Sequence, residues 1–178
     1  MIHKMVMNLQ DLPAAGKTWL HHVKASALED AASGDVDALK GVCGDTFWQG
    51  SLAKEYGVYI LRGEWKTRLK RHCDRCMCEF EWDVQGECNR QYVMDVLPDM
   101  DEDDVADVDV VPSPGVMNLV DILREEIWLA WKPSVICRAS CKGLCQGCGV
   151  NLNHDECQCT GGGEDNPFAA LAKMKFDT

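Results

Sequence analysis

Several things are missing from this chain of 178 residues. No stretch of 18 apolar residues occurs, so a transmembrane helix is not expected. Met1 to Gln10 carries His3 and Lys4 and lacks the apolar run of a secretory signal, so secretion is not expected either. There is no Gly-x-Gly-x-x-Gly and no Gly-x-Ser-x-Gly elbow, and Gly16-Lys17-Thr18 lacks the first glycine of a phosphate-binding Gly-x4-Gly-Lys-Ser/Thr loop, Asp11 standing in its place. His-Glu-x-x-His is absent, and the His-x-Glu at His154-Asp155-Glu156 is not followed by the Pro-Cys-x-x-Cys of a zinc deaminase, which leaves no recognisable catalytic centre. Positive charge is short: 18 Lys and Arg stand against 29 Asp and Glu, for a net charge of −11. Tight non-specific binding of nucleic acid by the whole surface is therefore not expected, because such affinity comes largely from phosphate neutralisation.

Cysteine is abundant instead. Hydrophobic residues make up 46%, enough for one folded core with a small appendage. The chain has 11 cysteines, and in a cytoplasmic protein clustered cysteines point to metal or redox chemistry rather than to structural disulfides.

The middle of the chain reads as a hairpin over 65–84, turning at Cys73-Asp74-Arg75-Cys76. With Cys73 opposite Cys76, Leu69 faces Phe80, Thr67 faces Trp82 and Trp65 faces Val84. The other face then pairs Lys70 with Glu79, Arg68 with Glu81 and Lys66 with Asp83. Both kinds of cross-strand pair are favourable, by roughly 0.2–1 kcal/mol each. Cys78 falls on the apolar side and is expected in the core. Cys88 receives the same reading, on a further strand over 87–96.

Elsewhere, residues 5–7 suggest a short strand and 23–32 a short helix. Trp19, Phe47 and Trp48 are read as core residues, and Cys43 as an incidental thiol. An acidic loop over 99–109 includes Asp101, Glu102, Asp103 and Asp104; such blocks are usually solvated, or else meet a basic partner. Residues 108–111 suggest an edge strand. Asn118 is a good N-cap for an amphipathic helix over 118–131, stopped by Pro133. Asn166 and Pro167 start a short terminal helix. The fold class is α+β: an antiparallel sheet covered by the amphipathic helix, then a cysteine-rich zinc-knuckle tail. The domains are 1–135 and 136–178.

The tail reads Cys137-x3-Cys141-x3-Cys145-x2-Cys148-x8-Cys157-x-Cys159. With Cys73 and Cys76 it supplies eight thiols in close pairs, suited to tetrahedral zinc. Two partitions are open. Two sites would join Cys73 and Cys76 to Cys137 and Cys141, and Cys145 and Cys148 to Cys157 and Cys159. A single mixed site would join Cys73 and Cys76 to two tail cysteines. Four thiolates leave no position for water, so one or two Zn2+ ions would be structural. An iron–sulfur cluster and a thiol redox pair at Cys73 and Cys76 are the alternatives.

Cys73-Asp74-Arg75-Cys76 with Glu79-Phe80, an acidic stretch, and Asn118-Leu119-Val120-Asp121-Ile122-Leu123-Arg124-Glu125-Glu126-Ile127 resemble the central part of the YceD family. The run Cys141-Lys142-Gly143-Leu144-Cys145-x2-Cys148-Gly149-Val150-Asn151-Leu152-Asn153 is similar to its cysteine-rich stretch, and Asn166-Pro167-Phe168 to its terminal motif. The resemblance covers most of 57–175. It implies a non-enzymatic, cytoplasmic factor for synthesis, processing or stability of the large-subunit ribosomal RNA, without a membrane. Its partner would be that RNA or a pre-ribosomal particle. Arg71, His72 and Arg75 at the hairpin tip are the candidate RNA contacts, and the acidic loop suits a basic large-subunit ribosomal protein. A zinc-bearing interaction adaptor is the rival without RNA.

Overall fold

The structure is a computed structural model and describes residues 5–29, 39–94 and 108–159. The chain divides into two units, Met1–Arg71 with Glu81–Pro133, and His72–Phe80 with Ser134–Thr178. No helix among the described residues is long and apolar enough to cross a membrane.

The first unit holds a five-stranded sheet. Its strands are β2 (Lys17–Lys24), β3 (Asp45–Glu55), β4 (Val58–His72), β5 (Glu79–Val93) and β6 (Asp109–Val110), in that order across the sheet. β2, β3 and β4 pair antiparallel, while β6 pairs parallel to β5, so the sheet is mixed rather than wholly antiparallel. β1 (Val6–Asn8) and β7 (Val116–Asn118) form a separate two-stranded ribbon. Both read Val-Met-Asn, and in both the asparagine side chain caps the helical turn that follows. Leu9 N–H donates to Gly115 O and Leu119 N–H to Met5 O, so the ribbon is closed symmetrically at each end.

α1 (Ala25–Glu29) starts two residues later than expected, because Val23 belongs to β2, where alternation places it in the core; residues 30–32 of the expected helix lie outside the described residues. The Arg124 guanidinium donates to the carbonyls of Ala27 (3.0 Å) and Leu28 (2.8 Å) in α1, where the helix dipole favours a cation. α2 (Leu119–Leu129) starts at its Asn118 cap, whose Oδ1 accepts from Val120 N. Leu119, Val120, Ile122, Leu123 and Ile127 are buried in one cluster with Trp48, Leu61 and Trp65.

Alternation along β4 buries Tyr59, Leu61, Trp65, Thr67 and Leu69 and leaves Arg62, Glu64, Lys66, Arg68 and Lys70 exposed. The hairpin is longer than the one read from sequence, and the strand expected at 87–96 is the continuation of β5. Its register also differs. Cys73 N–H donates to Cys78 O at 3.0 Å, Arg68 reaches Asp83 (2.8 Å) as well as Glu81 (3.0 Å), and Trp65 lies over Gly86. These contacts place the pairing two residues from the expected one. An even shift keeps each side chain on its face, so the apolar pattern could not reveal it.

Two core expectations fail for local reasons. Phe47 neighbours Trp48, so the pleat turns it to the opposite face, where it meets His22 edge-on at 5.9 Å. Cys78 is exposed because Met77 takes φ 59° and turns the chain before β5 begins. Trp19, Trp48 and Cys88 are buried, and burial pushes the Cys88 thiol up to about 12. Thr46 and Thr67, both buried, satisfy one another at 2.7 Å.

Each buried indole of the sheet sits against a glycine of the next strand: Trp19 on Gly50, Trp48 on Gly63, Trp65 on Gly86. A methyl group on Gly86 would come within 2.7 Å of the Trp65 ring. Trp65 is only 2% exposed and is packed in the core. Gly86→Ala is expected to cost about 1–3 kcal/mol of stability, as overpacking does. An unchanged urea midpoint would contradict this close fit.

Candidate metal centres

The β4–β5 turn prepares the first group of sulfurs. Met77 N–H donates to Cys73 O at 2.8 Å, folding Cys73 and Cys76 onto the same side of the turn. Asp74 then receives the tail: its Oδ2 accepts from Val135 N at 2.5 Å and its N–H donates to Val135 O at 3.0 Å. Val135 stands two residues before Cys137, so this clamp delivers that thiol. Arg75 takes the next stretch, its Nη1 donating to Cys141 O (3.1 Å) and its carbonyl accepting from Leu144 N (2.9 Å). Gly143, at φ +78°, passes the Arg75 carbonyl where a Cβ would lie 3.1 Å away.

The result gathers Cys73, Cys76, Cys137 and Cys141, with every Sγ within 4.8 Å of the others. Cys73 and Cys141 are 3.8 Å apart, as are Cys76 and Cys137. A tetrahedral ion with metal–sulfur bonds of about 2.3 Å would set sulfurs about 3.8 Å apart. The donor set therefore fits a thiophilic divalent ion. Asn153, which sequence reasoning passed over, supports this group. Its Nδ2 donates to Cys141 Sγ at 3.4 Å, and its Oδ1 accepts from Lys142 N and Arg138 Nη2. A polar amide inside a cysteine-rich stretch was the available signal, since metal ligands usually need such outer partners.

Cys145, Cys148, Cys157 and Cys159 form the second group, also within 4.8 Å of one another. Its knuckle is closed by Cys145 N–H on Val150 O and Gly149 N–H on Cys145 O. Gly149 takes φ +74°, which an L side chain rarely adopts. Gly147 lies where a Cβ would approach Cys159 Sγ at 3.1 Å. The eight thiols thus fall into the fours of the two-site arrangement. Among the described residues, His154 joins neither.

The thiols differ in acidity. Burial resists ionisation of Cys73, but backbone donors around Cys137, Cys76 and Arg75 overcome it and bring the thiol down to about 6. Cys141 is also lowered: burial opposes this, and the Asn153 donor leads the groups that outweigh it. Burial and the Cys73 sulfur raise Cys137. Cys76 goes up to about 12; the backbone at Cys78 favours its anion, but burial and three neighbouring sulfurs prevail. In the second group, backbone N–H groups at Cys148 and Gly147, with the Cys157 sulfur, bring Cys145 down to about 6. The neighbouring sulfurs push Cys159 up to about 12, and Cys145 raises Cys157. Each group therefore holds an easily formed thiolate beside thiols that keep their protons until a cation arrives.

The other candidate residues are dispersed. His72 and Arg75 are exposed at the hairpin tip. Arg71, in the first unit, lies with its guanidinium carbon 3.6 Å from the Trp131 ring centre and donates to Lys132 O at 2.9 Å. Asp101, Glu102, Asp103 and Asp104, and the terminal helix expected from Asn166, lie outside the described residues.

Metal loading should displace protons, because thiolates are the ligands. At pH 7 Cys76 and Cys137 in one group, and Cys157 and Cys159 in the other, stand as thiols. Adding Co2+ to reduced, metal-free protein is expected to release at least about two protons per ion and to saturate near about two ions. Binding should weaken as pH falls through about 6, where Cys73 and Cys145 also protonate. Thiolate-to-cobalt absorption and a pH-stat would follow both; saturation at one ion without proton release would reject two four-thiolate centres.

Comparison with known proteins bears on residues 61–175, which match the family described as Large ribosomal RNA subunit accumulation protein YceD. The chain is also 30% identical over 70 residues to Large ribosomal RNA subunit accumulation protein YCED homolog 1, chloroplastic, of Arabidopsis thaliana. That alignment covers 38% of this chain and 22% of the relative's length. No solved structure matches. The family match takes in both the β4–β5 hairpin and the two cysteine groups, over more than half of the sequence, and on that ground the chain belongs to the YceD family.

Proposed function

We propose that this protein is a non-enzymatic, cytoplasmic ribosome-biogenesis factor, needed for synthesis, processing or stability of the large-subunit ribosomal RNA. The observation that carries the reading is the family match over residues 61–175, whose description names accumulation of that RNA. Each cysteine group holds a structural Zn2+ in this reading. A four-thiolate site is closed to water and substrate, so the ion stabilises a fold rather than performing chemistry. α2 covers the sheet of the first unit in this reading. Arg75 supplies local positive charge and His72 a hydrogen-bonding ring at the hairpin tip for RNA phosphates, and Arg71 of the first unit is the third candidate contact, in a chain of net charge −11. The acidic stretch containing Asp101 to Asp104 holds a basic large-subunit ribosomal protein during assembly.

A thiol redox protein is the second reading. It draws on the lowered Cys73 thiol beside the raised Cys76. Against it, Cys73 is fully buried and two further sulfurs close around the pair. Zinc at about one ion per four cysteines after anaerobic purification would count against free redox thiols.

Depletion of the protein in cells is expected to lower the large ribosomal RNA relative to the small one; an unchanged ratio with impaired growth would move the assignment to an adaptor or redox protein. Deleting residues 99–109 should abolish binding to purified basic large-subunit proteins, and unchanged binding would remove the acidic stretch from the mechanism.

A further inference from the structure

The end of α2 carries aromatic rings that the preceding function does not use. Trp128 and Trp131 have ring centroids 6.4 Å apart and planes only 21° from parallel. Arg71, at the end of β4, sets its guanidinium carbon 3.6 Å from the Trp131 ring centre and 5.6 Å from that of Trp82. Trp82, Gln85, Leu129, Trp131 and Lys132 border a depression of about 520 Å³ on the Trp131 side of the pair. Trp128 is 46% exposed and Leu129 73% exposed, whereas the buried stripe of α2 ends at Ile127.

Two near-parallel indoles backed by a guanidinium offer flat π surface, and that chemistry selects a planar heteroaromatic ring. The surroundings select an anionic chain carrying such rings. Lys132 is exposed beside Trp131, and Arg71 adds a second positive charge. Asp83, the carboxylate bordering the depression, is held by Arg68 at 2.8 Å, whose guanidinium keeps it below the ordinary carboxylate range. A protein partner's apolar anchor would meet one exposed aliphatic side chain, Leu129, rimmed by cations. An unpaired nucleobase would meet a ring face, with the exposed Lys132 beside it to attract its phosphates. Duplex RNA hides its base faces and would not fit.

We propose that Trp128 and Trp131, backed by Arg71 and flanked by Lys132, form a stacking platform for unpaired bases of single-stranded RNA. The choice of RNA as ligand rests on the ribosomal reading above; the platform itself rests on the ring geometry and the charges around it. Stacking of bases on aromatic side chains tolerates any base sequence, so the site favours exposed single strands over a particular motif.

The test uses the full chain and a short unstructured oligoribonucleotide. Trp128→Ala is expected to weaken binding by about tenfold, Trp128→Phe to restore most of it, and the same strand in a duplex to bind no better than it does to Trp128→Ala. Photo-crosslinking of a 5-iodouridine-substituted strand should label the peptide containing Trp128 and Trp131. Because Trp128 is half exposed, Trp128→Ala should keep the wild-type urea midpoint. Unchanged oligonucleotide affinity in Trp128→Ala overturns the platform and leaves the ribosomal reading standing. So does a variant whose only change is loss of self-association in sedimentation, which would make this face a contact between copies. If the wild-type chain binds no single-stranded RNA, the platform is likewise overturned, and the RNA ratio in depleted cells then judges the ribosomal reading separately.

Discussion

Four thiols held within 4.8 Å of one another need protons or a cation among them, and the second unit is organised around that requirement twice. Its described core is sulfur rather than hydrocarbon: Cys73, Cys76 and Cys141 are its buried cluster, with Phe80 and Cys137 packed against them. A segment this poor in aliphatic side chains cannot recover its ordering entropy by apolar burial alone. Hydrogen bonds at Asp74, Arg75 and Asn153 set the approach of the sulfurs. The spread of thiol acidities follows from the same crowding, since each thiolate formed opposes the next.

The first unit solves a more ordinary problem. Its sheet buries three tryptophans by placing a glycine beneath each, which lets large rings lie close to the neighbouring strand. In this interior the Thr46 and Thr67 hydroxyls meet one another, whereas the indole N–H groups of Trp19, Trp48 and Trp65 and the Tyr92 hydroxyl are buried without a hydrogen-bond partner among the described residues. Arg90 is mostly buried and bonds Glu126 at 2.7 Å and Glu125 at 2.6 Å on α2. Those carboxylates outweigh the cost of burial and hold its charge in place. Such a pair fixes orientation more than it adds stability, because desolvation offsets much of the attraction.

Charge is distributed so that an acidic protein keeps small cationic places. On the open face of the hairpin Arg68 is matched by Glu81 and Asp83, so that stretch is close to neutral. Arg75 is exposed at the tip and Lys132 is exposed beside the indoles, where Arg71 stacks on Trp131. Attraction for an anionic chain would then be local and short in range, as screening at physiological salt requires.

Short-range pattern was legible in the sequence because it depends on neighbours. Period-two alternation assigned the faces of β4 and β5, Asn118 marked the start of α2, and the close cysteine pairs pointed to groups that could hold a metal ion. The same reasoning misplaced Phe47 and Cys78, where a neighbour's claim on the core face and a left-handed turn at Met77 decided the outcome. What only the tertiary structure decided involves partners far apart in the chain. The two-residue shift in hairpin register preserves parity and so leaves no trace in the pattern. The ribbon of β1 and β7 joins Val6 to Asn118, and the first cysteine group joins sulfurs 68 residues apart. Local composition assigns a thiol its chemistry, but which thiols meet depends on the path of the backbone, and here Asp74 and Arg75 direct that path.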